Sequence, residues 1–411
     1  MQSVDRVRMA VTLYPQVGNL RQNDGFSQDK NSAFPAANLD TVWADLVRQA
    51  LVEDSPDRLR TALDEYAVRR RTTAEGEGME PLRIGILGAA RISGRAIAEP
   101  ARLTGARLVA VAAREPERAA AFAAEHGVER VHTSYQDVID DPEVEAIYNP
   151  LANGLHGPWN LRAIAAGKHV LTEKPSASNA AEAAEVRDAA RDAGVVVMEG
   201  FHYHFHPVTR RLHELLAKGE LGDLQHVEAT MVMPPPDEDD PRWSLALAGG
   251  AVMDVGCYAL HAARMLAPWA GGAPTLANAR AGERKRLPGV DEWLNADLVY
   301  PNGATGAVRT SMAAEELDFS LRIVGARGEA FAPSFVLPHL DDRVMVKTKE
   351  DTWVEQLGRR SSYTYQLEAF TARLRNGTPL PIDADDAVAT MELIDACYRD
   401  AGLQPRPVTT I

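Results

Sequence analysis

The sequence predicts an α/β protein with two folded parts: a doubly wound parallel sheet, then an α+β domain with an open, mainly antiparallel sheet. Three observations lead to this fold class. At 411 residues, the chain is longer than a single domain usually is. Between residues 82 and 200, short apolar segments alternate with helical patterns, as in parallel sheets covered by helices on both faces. After Gly222, alternating apolar and polar segments follow one another between turns, with few helices.

In the first part, apolar runs predict strands and amphipathic periods predict the helices between them. The predicted strands are Leu82–Leu87, Arg107–Ala112, Ala146–Asn149, His169–Thr172 and Val195–Gly200. The predicted helices are Arg91–Arg102, Pro116–His126, Pro158–Ala166 and Asn179–Ala193. We place this domain at residues 81–205.

In the second part, residues 206–411, period-two segments separated by Gly, Pro and Asn predict strands. These strands are Gln225–Met233, Leu294–Tyr300, Ala304–Met312, Ser320–Val324 and Val344–Thr348. The predicted helices are Val252–Leu266, Tyr363–Leu374 and Asp385–Ala401. The strands outnumber the helices that could cover both faces of their sheet, so we expect apolar surface that pairs with a second copy in a homodimer or larger homo-oligomer.

Residues 1–80 differ in character from the rest of the chain. Helical periodicity runs from Asp40 to Leu51, and Ser55-Pro56 resembles an N-cap opening a second helix that ends near Arg70. A polar linker, Thr72–Gly78, follows. We interpret this segment as a helical extension that folding and activity do not require.

The composition excludes several classes of protein. A formal net charge of −14 argues against a nucleic-acid partner, because phosphates would be repelled. Two cysteines cannot build a disulfide framework or a four-cysteine metal site, and they suit a reducing cytoplasm. We find no secretory signal and no run of about 18 apolar residues that could span a membrane. The sequence therefore predicts a cytoplasmic protein without a membrane partner.

The first candidate site is Gly88-Ala89-Ala90-Arg91-Ile92-Ser93, which follows the first strand and opens a helix. A dinucleotide fold needs small residues at this turn so that the backbone can approach a pyrophosphate at the helix N-terminus. Ala90 and Ser93 stand where the second and third glycines usually stand, and small residues at an ordinary turn are the alternative. Placement at the first turn of a long alternating pattern favours cofactor binding.

The end of the second strand predicts which cofactor is bound. NAD-binding folds place an acidic residue there for the ribose 2′-hydroxyl, whereas an arginine favours the 2′-phosphate of NADP. The chain reads Ala112-Ala113-Arg114, with no carboxylate before Glu115. Arg114 therefore favours NADP over NAD, which remains the second choice. The alternative is a solvated residue at the start of a helix.

Two further motifs carry groups that can hold or move a proton. Glu173-Lys174-Pro175 follows a strand whose carboxyl end should face the ligand crevice, where a lysine could bind a substrate hydroxyl. A surface lysine is an equally reasonable interpretation of this triplet. Downstream of Gly249-Gly250, helical spacing places Asp254, Tyr258 and His261 on one face. Together they predict the lining of a pocket. The alternative is that Asp254 caps the helix and Tyr258 is an ordinary half-buried tyrosine. For His261 we prefer a purely structural role.

From about Leu82 to Pro405, the chain resembles the glucose–fructose oxidoreductase/inositol dehydrogenase/MocA family (Gfo/Idh/MocA). The resemblance rests on residues 85–92, on the Glu173-Lys174-Pro175 triplet, and on residues 250–258 at the expected separation. Asn149-Pro150-Leu151, Asn153 and His156 resemble the family's loop beneath the nicotinamide. Tyr258, where many members carry histidine, resembles the aldose and dihydrodiol dehydrogenase branch.

The resemblance implies a Rossmann domain that binds NAD(P) and a catalytic set of Lys174, Asp254 and Tyr258. Hydride would pass between nicotinamide C4 and a hydroxyl or carbonyl carbon of a sugar or polyol. Tyr258 would exchange the proton, Lys174 would polarise the reacting oxygen and lower the Tyr258 pKa, and Asp254 would position the substrate or Lys174. The residues implied for cofactor binding are Gly88, Ala89, Ala90, Arg91, Ile92, Arg114, Asn149, His156, Glu173 and Lys174. A trans-dihydrodiol or small carbonyl reductase and a catalytically silent NADP-sensing regulator remain alternatives.

The segment His202-Tyr203-His204-Phe205-His206-Pro207 offers a metal hypothesis. Histidines at every second position of a strand would share a face and could ligate zinc. No acidic or cysteine partner lies nearby in sequence, and similar family members have an aromatic-rich segment ending in His-Pro here. We therefore favour pocket lining or helix-start packing and predict no metal.

Overall fold

The structure, a computed structural model, describes residues 80–411. The two helices predicted within residues 40–70 and the polar linker 72–78 lie outside the described residues.

Six parallel strands form the first sheet, in the order β3-β2-β1-β4-β5-β6. The strands are β1 (Arg83–Leu87), β2 (Arg107–Ala112), β3 (Arg130–Val131), β4 (Ala146–Asn149), β5 (His169–Thr172) and β6 (Val197–Glu199). This order confirms the predicted doubly wound sheet. Only β3 escaped prediction, because two residues carry no period.

Helices connect these strands and cover both faces of the sheet. A π-helical turn, Gly94–Ala98, continues into α1 (Glu99–Thr104), so the first predicted helix has an irregular beginning. The others are α2 (Pro116–His126), α3 (Tyr135–Asp140), α4 (His156–Ala165) and α5 (Ala180–Ala193). Helix α3 was not predicted, although Ser134 opens it with a capping box.

Eight strands form the second sheet, in the order β14-β13-β12-β11-β7-β10-β9-β8. Neighbours are antiparallel except β7 and β10, which run parallel. The strands are β7 (Leu224–Val232), β8 (Thr275–Glu283), β9 (Asp291–Val299), β10 (Thr305–Ser311), β11 (Leu321–Gly325), β12 (Gly328–Ala332), β13 (Arg343–Thr348) and β14 (Thr352–Gln356). The mainly antiparallel sheet is confirmed, with β8, β12 and β14 as additional strands.

The helices of the second part complete the fold. Helix α6 (Pro207–Ala217) was not predicted. A second π-helical turn, Val252–Gly256, leads into α7 (Cys257–Arg264). The chain ends with α8 (Ser362–Asn376) and α9 (Ala384–Asp400). Helix α8 packs on α1 and α9 packs on α5, so both closing helices return to the first domain. The larger of two hydrophobic clusters consequently contains residues of both sheets, and the smaller one lies within the first domain.

The segment Leu245–Trp269 corrects one sequence-based expectation. By length and composition it is apolar enough to cross a membrane. In the fold, however, 78% of its most apolar window is buried inside the protein. Its hydrophobicity is therefore that of a core helix, packed against β7 and β10.

Candidate active site

A cavity of about 620 Å³ lies between the two sheets. One wall comes from loops that follow β1, β4 and β5, and the other includes Met231 of β7 and Tyr258 of α7. Its size is within the range of small-molecule sites. Carboxyl ends of parallel strands are the usual ligand side of a doubly wound sheet, so this cavity is the place where a dinucleotide and a small substrate could meet.

The turn after β1 requires glycine at its first position. Gly88 has φ +101°, and its N–H donates to the carbonyl oxygen of Ala112 over 2.8 Å. A Cβ atom at Gly88 would lie 3.1 Å from Cδ2 of Leu151. Both the backbone conformation and the available space therefore favour glycine, which keeps the strand end open for a ligand.

The following residues bring the backbone to the cavity. Ala90, Arg91 and Ile92 line it, whereas Ser93 is fully buried at the start of the π-helical turn Gly94–Ala98. The residues of this segment that do not line the cavity, Gly88, Ala89 and Ser93, are all small, which lets the helix begin close to the strand. The arrangement fits a pyrophosphate on backbone N–H groups, although two of the usual glycines are replaced.

Two arginines stand at the far end of this turn. Arg114 is exposed directly after β2, and Arg118 donates to the carbonyl oxygen of Ala89 over 2.8 Å. Glu115 pairs with Arg118 at 3.1 Å. Burial raises the pKa of the Tyr135 phenol, while the charges of Arg114 and Arg118 oppose this shift. The turn thus has the exposed Arg114 and the already paired Arg118 beside it, two guanidinium groups at a position where a phosphate could bind.

Asn149 and His156 hold the loop after β4 in place. The Asn149 amide donates to Oδ1 of Asn160 over 2.8 Å and has no exposed surface, so its position is beneath the cavity wall. The His156 ring lies between the carbonyl oxygens of Pro175 (2.7 Å) and Leu151 (2.8 Å), and it lines the cavity. Burial lowers the pKa of His156 to about 4, so the ring is neutral.

Glu173 and Lys174 are adjacent but differ in character: Glu173 is a buried carboxyl group, and Lys174 is a cationic amine that lines the cavity. Glu173 accepts a hydrogen bond from Tyr148 over 2.8 Å, and burial raises its pKa. Burial alone would lower the pKa of Lys174, but electrostatic interactions, foremost with Asp254, outweigh it and raise that pKa. Lys174 thus remains protonated at the cavity wall.

A chain of alternating charges crosses the cavity. Nζ of Lys174 is 3.6 Å from Oδ1 of Asp254, whose Oδ2 is 3.5 Å from Nη1 of Arg242. Arg242 holds Asp240 through two bonds of 2.9 Å, and Arg91 reaches the same carboxylate at 3.3 Å. Three cations and two carboxylates therefore alternate along a chain that joins the two domains across the site.

A buried ion pair supports the helix that carries Asp254. Gly250 has φ +134°, and a Cβ there would collide with the paired side chains of Asp291 and Arg406. Asp291 also accepts the N–H of Val252 (2.8 Å) and the hydroxyl of Tyr398 (3.0 Å). These contacts fix the start of the π-helical turn and thereby the position of Asp254.

Tyr258 projects its ring toward Lys174, whose Nζ lies 5.2 Å from the ring centre. Burial, followed by the nearby phenol of Tyr363 and the carboxyl of Glu173, raises the pKa of Tyr258 well above its usual value. This finding corrects the expectation that Lys174 lowers that pKa: burial outweighs the charge. Tyr258 is consequently a neutral phenol, a form suited to donating a proton.

The histidine segment does not form a strand. His202–Phe205 is a 3₁₀ helix, so the three imidazoles point in different directions. His202 faces Tyr258, whereas Nδ1 of His206 accepts the N–H of Val208 at the start of α6. Within residues 80–411, no group of three or more His, Cys, Asp or Glu side chains is arranged to hold a metal ion.

His261 lies away from the cavity. Its ring is fully buried, 2.7 Å from the Tyr203 hydroxyl and 3.1 Å from Oδ2 of Asp386. Helix α7 therefore places Tyr258 at the cavity, whereas His261, one turn further along the same helix, lies in the core.

Sequence reasoning did not select Arg118 or Arg242. It favoured pocket lining or helix-start packing over a metal site for the segment that contains His202, and His202 lines the cavity. Arg118 could have been found, because it follows Arg114 by four residues at the start of a predicted helix. Arg242 carries no local signal, since its partner Asp254 is twelve positions away in a different element.

The cavity brings together a cation, a carboxylate and a neutral phenol from its two walls: Lys174 from one, Asp254 and Tyr258 from the other. Lys174 can donate to a polar substrate oxygen, and Tyr258 can give that oxygen a proton. Ala90, Arg91 and Ile92, which follow the turn at Gly88, line the same cavity, so a cofactor and a substrate oxygen could be held together.

Comparison with known proteins gives matches over most of this region. A profile described as "Oxidoreductase family, NAD-binding Rossmann fold" matches residues 82–201, and one described as "GFO/IDH/MocA C-terminal domain" matches residues 209–331. A D-xylose 1-dehydrogenase (NADP(+)) of Haloferax volcanii is 36% identical over 319 residues, which cover 77% of this chain and 96% of that protein.

Two further similarities concern other substrates. A trans-1,2-dihydrobenzene-1,2-diol dehydrogenase of Sus scrofa is 35% identical over 227 residues, covering 54% of this chain and 65% of the relative. A 3-ketoreductase from Actinomadura kijaniata, solved in complex with NADP and TDP-benzene, superposes with a TM-score of 0.72 at 26% identity. That match covers 78% of this chain and 98% of the solved one.

Proposed function

The chain belongs to the Gfo/Idh/MocA oxidoreductase family, and we propose that it transfers hydride between nicotinamide C4 and a hydroxyl or carbonyl carbon of a sugar or polyol. Members similar to it are dehydrogenases and reductases, so the chain is an NAD(P)-dependent oxidoreductase acting on sugar-like substrates. The observation that carries the finer proposal is the convergence of Lys174, Asp254 and Tyr258 on the cavity that residues 90–92 also line.

We propose NADP as the preferred cofactor, with NAD as the alternative. The backbone of residues 88–92 would hold the pyrophosphate, Arg114 and Arg118 would pair with the 2′-phosphate, and the loop carrying His156 would lie beside the nicotinamide. The fit is supported by the glycine-only geometry of Gly88 and by two guanidinium groups beside the turn. The NADP-linked xylose dehydrogenase and the ketoreductase solved with NADP support the same choice.

The proposed mechanism assigns one task to each catalytic side chain. When bound, the nicotinamide cofactor supplies or accepts the hydride. Lys174 donates a hydrogen bond to the reacting oxygen and stabilises the negative charge that develops there. Tyr258 gives that oxygen its proton in reduction and takes it back in oxidation. Asp254 holds Lys174 through its carbonyl and carboxylate oxygens and limits how far the amine can move.

Two alternatives differ in substrate or in class. A trans-dihydrodiol or small carbonyl reductase would use the same residues, and the Sus scrofa relative favours it. A catalytically silent NADP-sensing regulator would bind the cofactor without turnover. The presence of Lys174 and Tyr258 in one cavity argues against silence, because sensing does not require a proton donor.

A turnover assay distinguishes the three. The full chain would be tested with NADP and with NAD against a panel of aldoses and polyols, then against a trans-dihydrodiol and small carbonyl compounds, with Tyr258→Phe as the inactive control. Turnover of aldoses supports the proposal, whereas turnover of dihydrodiols alone selects the rival enzyme. Cofactor binding without turnover of any of these compounds would favour the catalytically silent NADP-sensing regulator.

We also propose that the protein is cytoplasmic and homo-oligomeric, without nucleic-acid or membrane partners. Within the chain we assign residues 81–205 to cofactor binding, 206–411 to substrate binding and oligomerisation, and 1–80 to a dispensable extension. The profile matches, which begin at residue 82, support the last assignment.

A further inference from the structure

His202 lines the cavity beside Tyr258 and lies within hydrogen-bonding distance of the tyrosine hydroxyl. Its Nε2 lies 3.3 Å from the hydroxyl oxygen, and its Nδ1 lies 2.7 Å from Oγ of Ser362. The ring also packs on Tyr363, with ring centres 3.9 Å apart. His202 and Ser362 are each only 1% exposed, so the hydrogen bond between them is shielded from water.

The protonation state of His202 limits how these bonds can be made. Burial, reinforced by the positive charges of Arg95 and Lys174 and by the neighbouring rings of His339 and His206, lowers the pKa of His202 well below its usual value. A neutral imidazole carries one N–H and one acceptor nitrogen. If Ser362 donates its hydroxyl proton to Nδ1, then Nε2–H donates to the oxygen of Tyr258. In that arrangement the Tyr258 proton is free to point into the cavity.

Most of the other groups around Tyr258 do not stabilise its ionised form. Tyr363, Glu173, Cys257 and Asp254 all disfavour a phenolate at this position. Of the groups facing the ring, Lys174 supplies positive charge and His202 places an imidazole nitrogen at the oxygen itself. A donor at 3.3 Å would favour the phenolate, which must exist briefly whenever Tyr258 gives up its proton.

We propose that His202, oriented by Ser362, is a positioning residue for Tyr258 that donates Nε2–H to the tyrosine oxygen during proton transfer. The inference rests on the proposed function. In reduction, hydride from the reduced cofactor forms a C–H bond at the carbonyl carbon while the Tyr258 O–H bond breaks and a new O–H bond forms on the substrate oxygen. The phenolate left behind accepts the His202 hydrogen bond until it takes a proton from water in the open cavity.

The first test measures the Tyr258 pKa without requiring turnover. Replacing Tyr258 with 3,5-difluorotyrosine, whose phenol is more acidic, lets ¹⁹F NMR follow the titration of this one phenol among the ten tyrosines of the chain. In a His202→Phe background, which keeps the aromatic packing on Tyr363, the titration midpoint should rise by about 1 pH unit or more, the scale of a hydrogen bond to a charged group. His202→Gln, which can place a donor near the Nε2 position, should restore most of the shift.

Ser362→Ala serves as the second variant, because it leaves the His202 ring in place and removes only the group that selects its tautomer. It should raise the midpoint by less than His202→Phe does. An unchanged midpoint in both His202→Phe and Ser362→Ala overturns the proposal. Thermal unfolding curves for each variant report whether the fold is kept, and His202→Gln and Ser362→Ala decide the matter if His202→Phe does not fold.

The second test uses turnover in the oxidation direction with NADP and D-xylose, or the aldose turned over best. The ascending limb of the kcat profile, where activity rises as Tyr258 ionises, should move to higher pH in His202→Phe while the KM for NADP is unchanged, a pattern that a loss of packing alone would not produce. An unaltered kcat profile also overturns the proposal. If the wild type turns over no sugar, the proposed function fails, yet the ¹⁹F titration still decides whether His202 stabilises the Tyr258 phenolate.

Discussion

The ammonium nitrogen of Lys174 lies 2.6 Å from the backbone carbonyl oxygen of Asp254 and donates a hydrogen bond to it. The two residues are 80 positions apart, and each belongs to a loop or helix on a different wall of the cavity. The same nitrogen is 5.2 Å from the centre of the Tyr258 ring. One lysine therefore joins the strand-end loop of the first sheet to the helix that carries the proton donor.

Tyr258→Phe should abolish proton transfer while leaving the fold intact. The variant removes the hydroxyl and keeps the ring, so NADP affinity should be unchanged while kcat falls about 10²–10⁴-fold, the usual contribution of a general acid–base group. Steady-state kinetics with the best aldose and a direct measurement of NADP binding test this. Near-normal turnover would exclude Tyr258 as the proton carrier and make His156 the next candidate.

Lys174→Ala should lose turnover to a comparable extent, because it removes the donor to the reacting oxygen and the amine that Asp254 holds. If Lys174 and Tyr258 act as one unit, the double variant should be little worse than the poorer single variant. Multiplicative losses in the double variant would instead show that the two side chains act independently.

Arg114→Ala should reduce the preference for NADP over NAD. A charge-assisted hydrogen bond to a phosphate is worth about 1.5–3 kcal/mol, so the ratio of the two dissociation constants should change about tenfold or more. Arg118→Ala should act in the same direction, and isothermal titration of both cofactors measures each ratio. Equal affinities in the wild type, or an unchanged ratio in Arg114→Ala, would contradict this assignment.

Arg406→Ala should destabilise the protein and lower its turnover. The variant leaves the Asp291 carboxylate buried without its cation, and removing one partner of a buried pair costs about 3–5 kcal/mol. Arg309→Ala is the matched control, because its pair with Asp297 is about half exposed and should contribute less than about 1 kcal/mol. Urea unfolding measures the free energy of unfolding of both variants. Equal losses of stability would mean that the buried pair does not support the helix that carries Asp254.

Glu199 should make stability fall as the pH rises. Burial, followed by the charge of Asp386, raises the pKa of Glu199 from 4.5 to about 8. The folded protein therefore keeps a proton that the unfolded chain releases between these values. Its contribution is fully present below pH 4.5 and declines toward pH 8, by at most about 1.4 kcal/mol per pH unit.

Glu199→Gln should flatten this decline, because the amide stays neutral and keeps an oxygen that can accept the N–H of Ser176, now 2.8 Å from Oε1. Urea unfolding across the interval from pH 4.5 to pH 8 provides the test. Glu185→Gln, at an exposed position of α5, is the control. Parallel pH dependences in wild type and Glu199→Gln would show that Glu199 is ionised in the folded state.

The eight-stranded sheet should pair with a second copy of the chain. Its solvent-facing side carries exposed Trp293 and Val354, 37% and 56% accessible, beside ion pairs such as that of Arg322 with Glu228. The surface is thus mixed, where the sequence led us to expect a mainly apolar one. Multi-angle light scattering at micromolar concentration should give a dimer or larger species, and a monomer would count against the prediction.

The sequence by itself determined the parallel sheet, the strand-end turn at Gly88 and the spacing of Asp254 and Tyr258 on one helix. These features depend on period and on residues a few positions apart, which local patterns report directly. Short elements such as β3 carry too few residues for a period and were missed. Resemblance to a family then supplied roles for Lys174 and Tyr258 that spacing could not supply.

The tertiary structure decided what surrounds those residues. His202 meets Tyr258 across 56 positions and Ser362 across 160, and Arg406 reaches Asp291 across 115, distances over which no local pattern carries information. Burial also set the sign of the Tyr258 pKa shift: a nearby lysine suggested a lower value, but exclusion of water from the phenol raises it. Charge can be counted along a chain, whereas desolvation depends on which side chains the fold brings together.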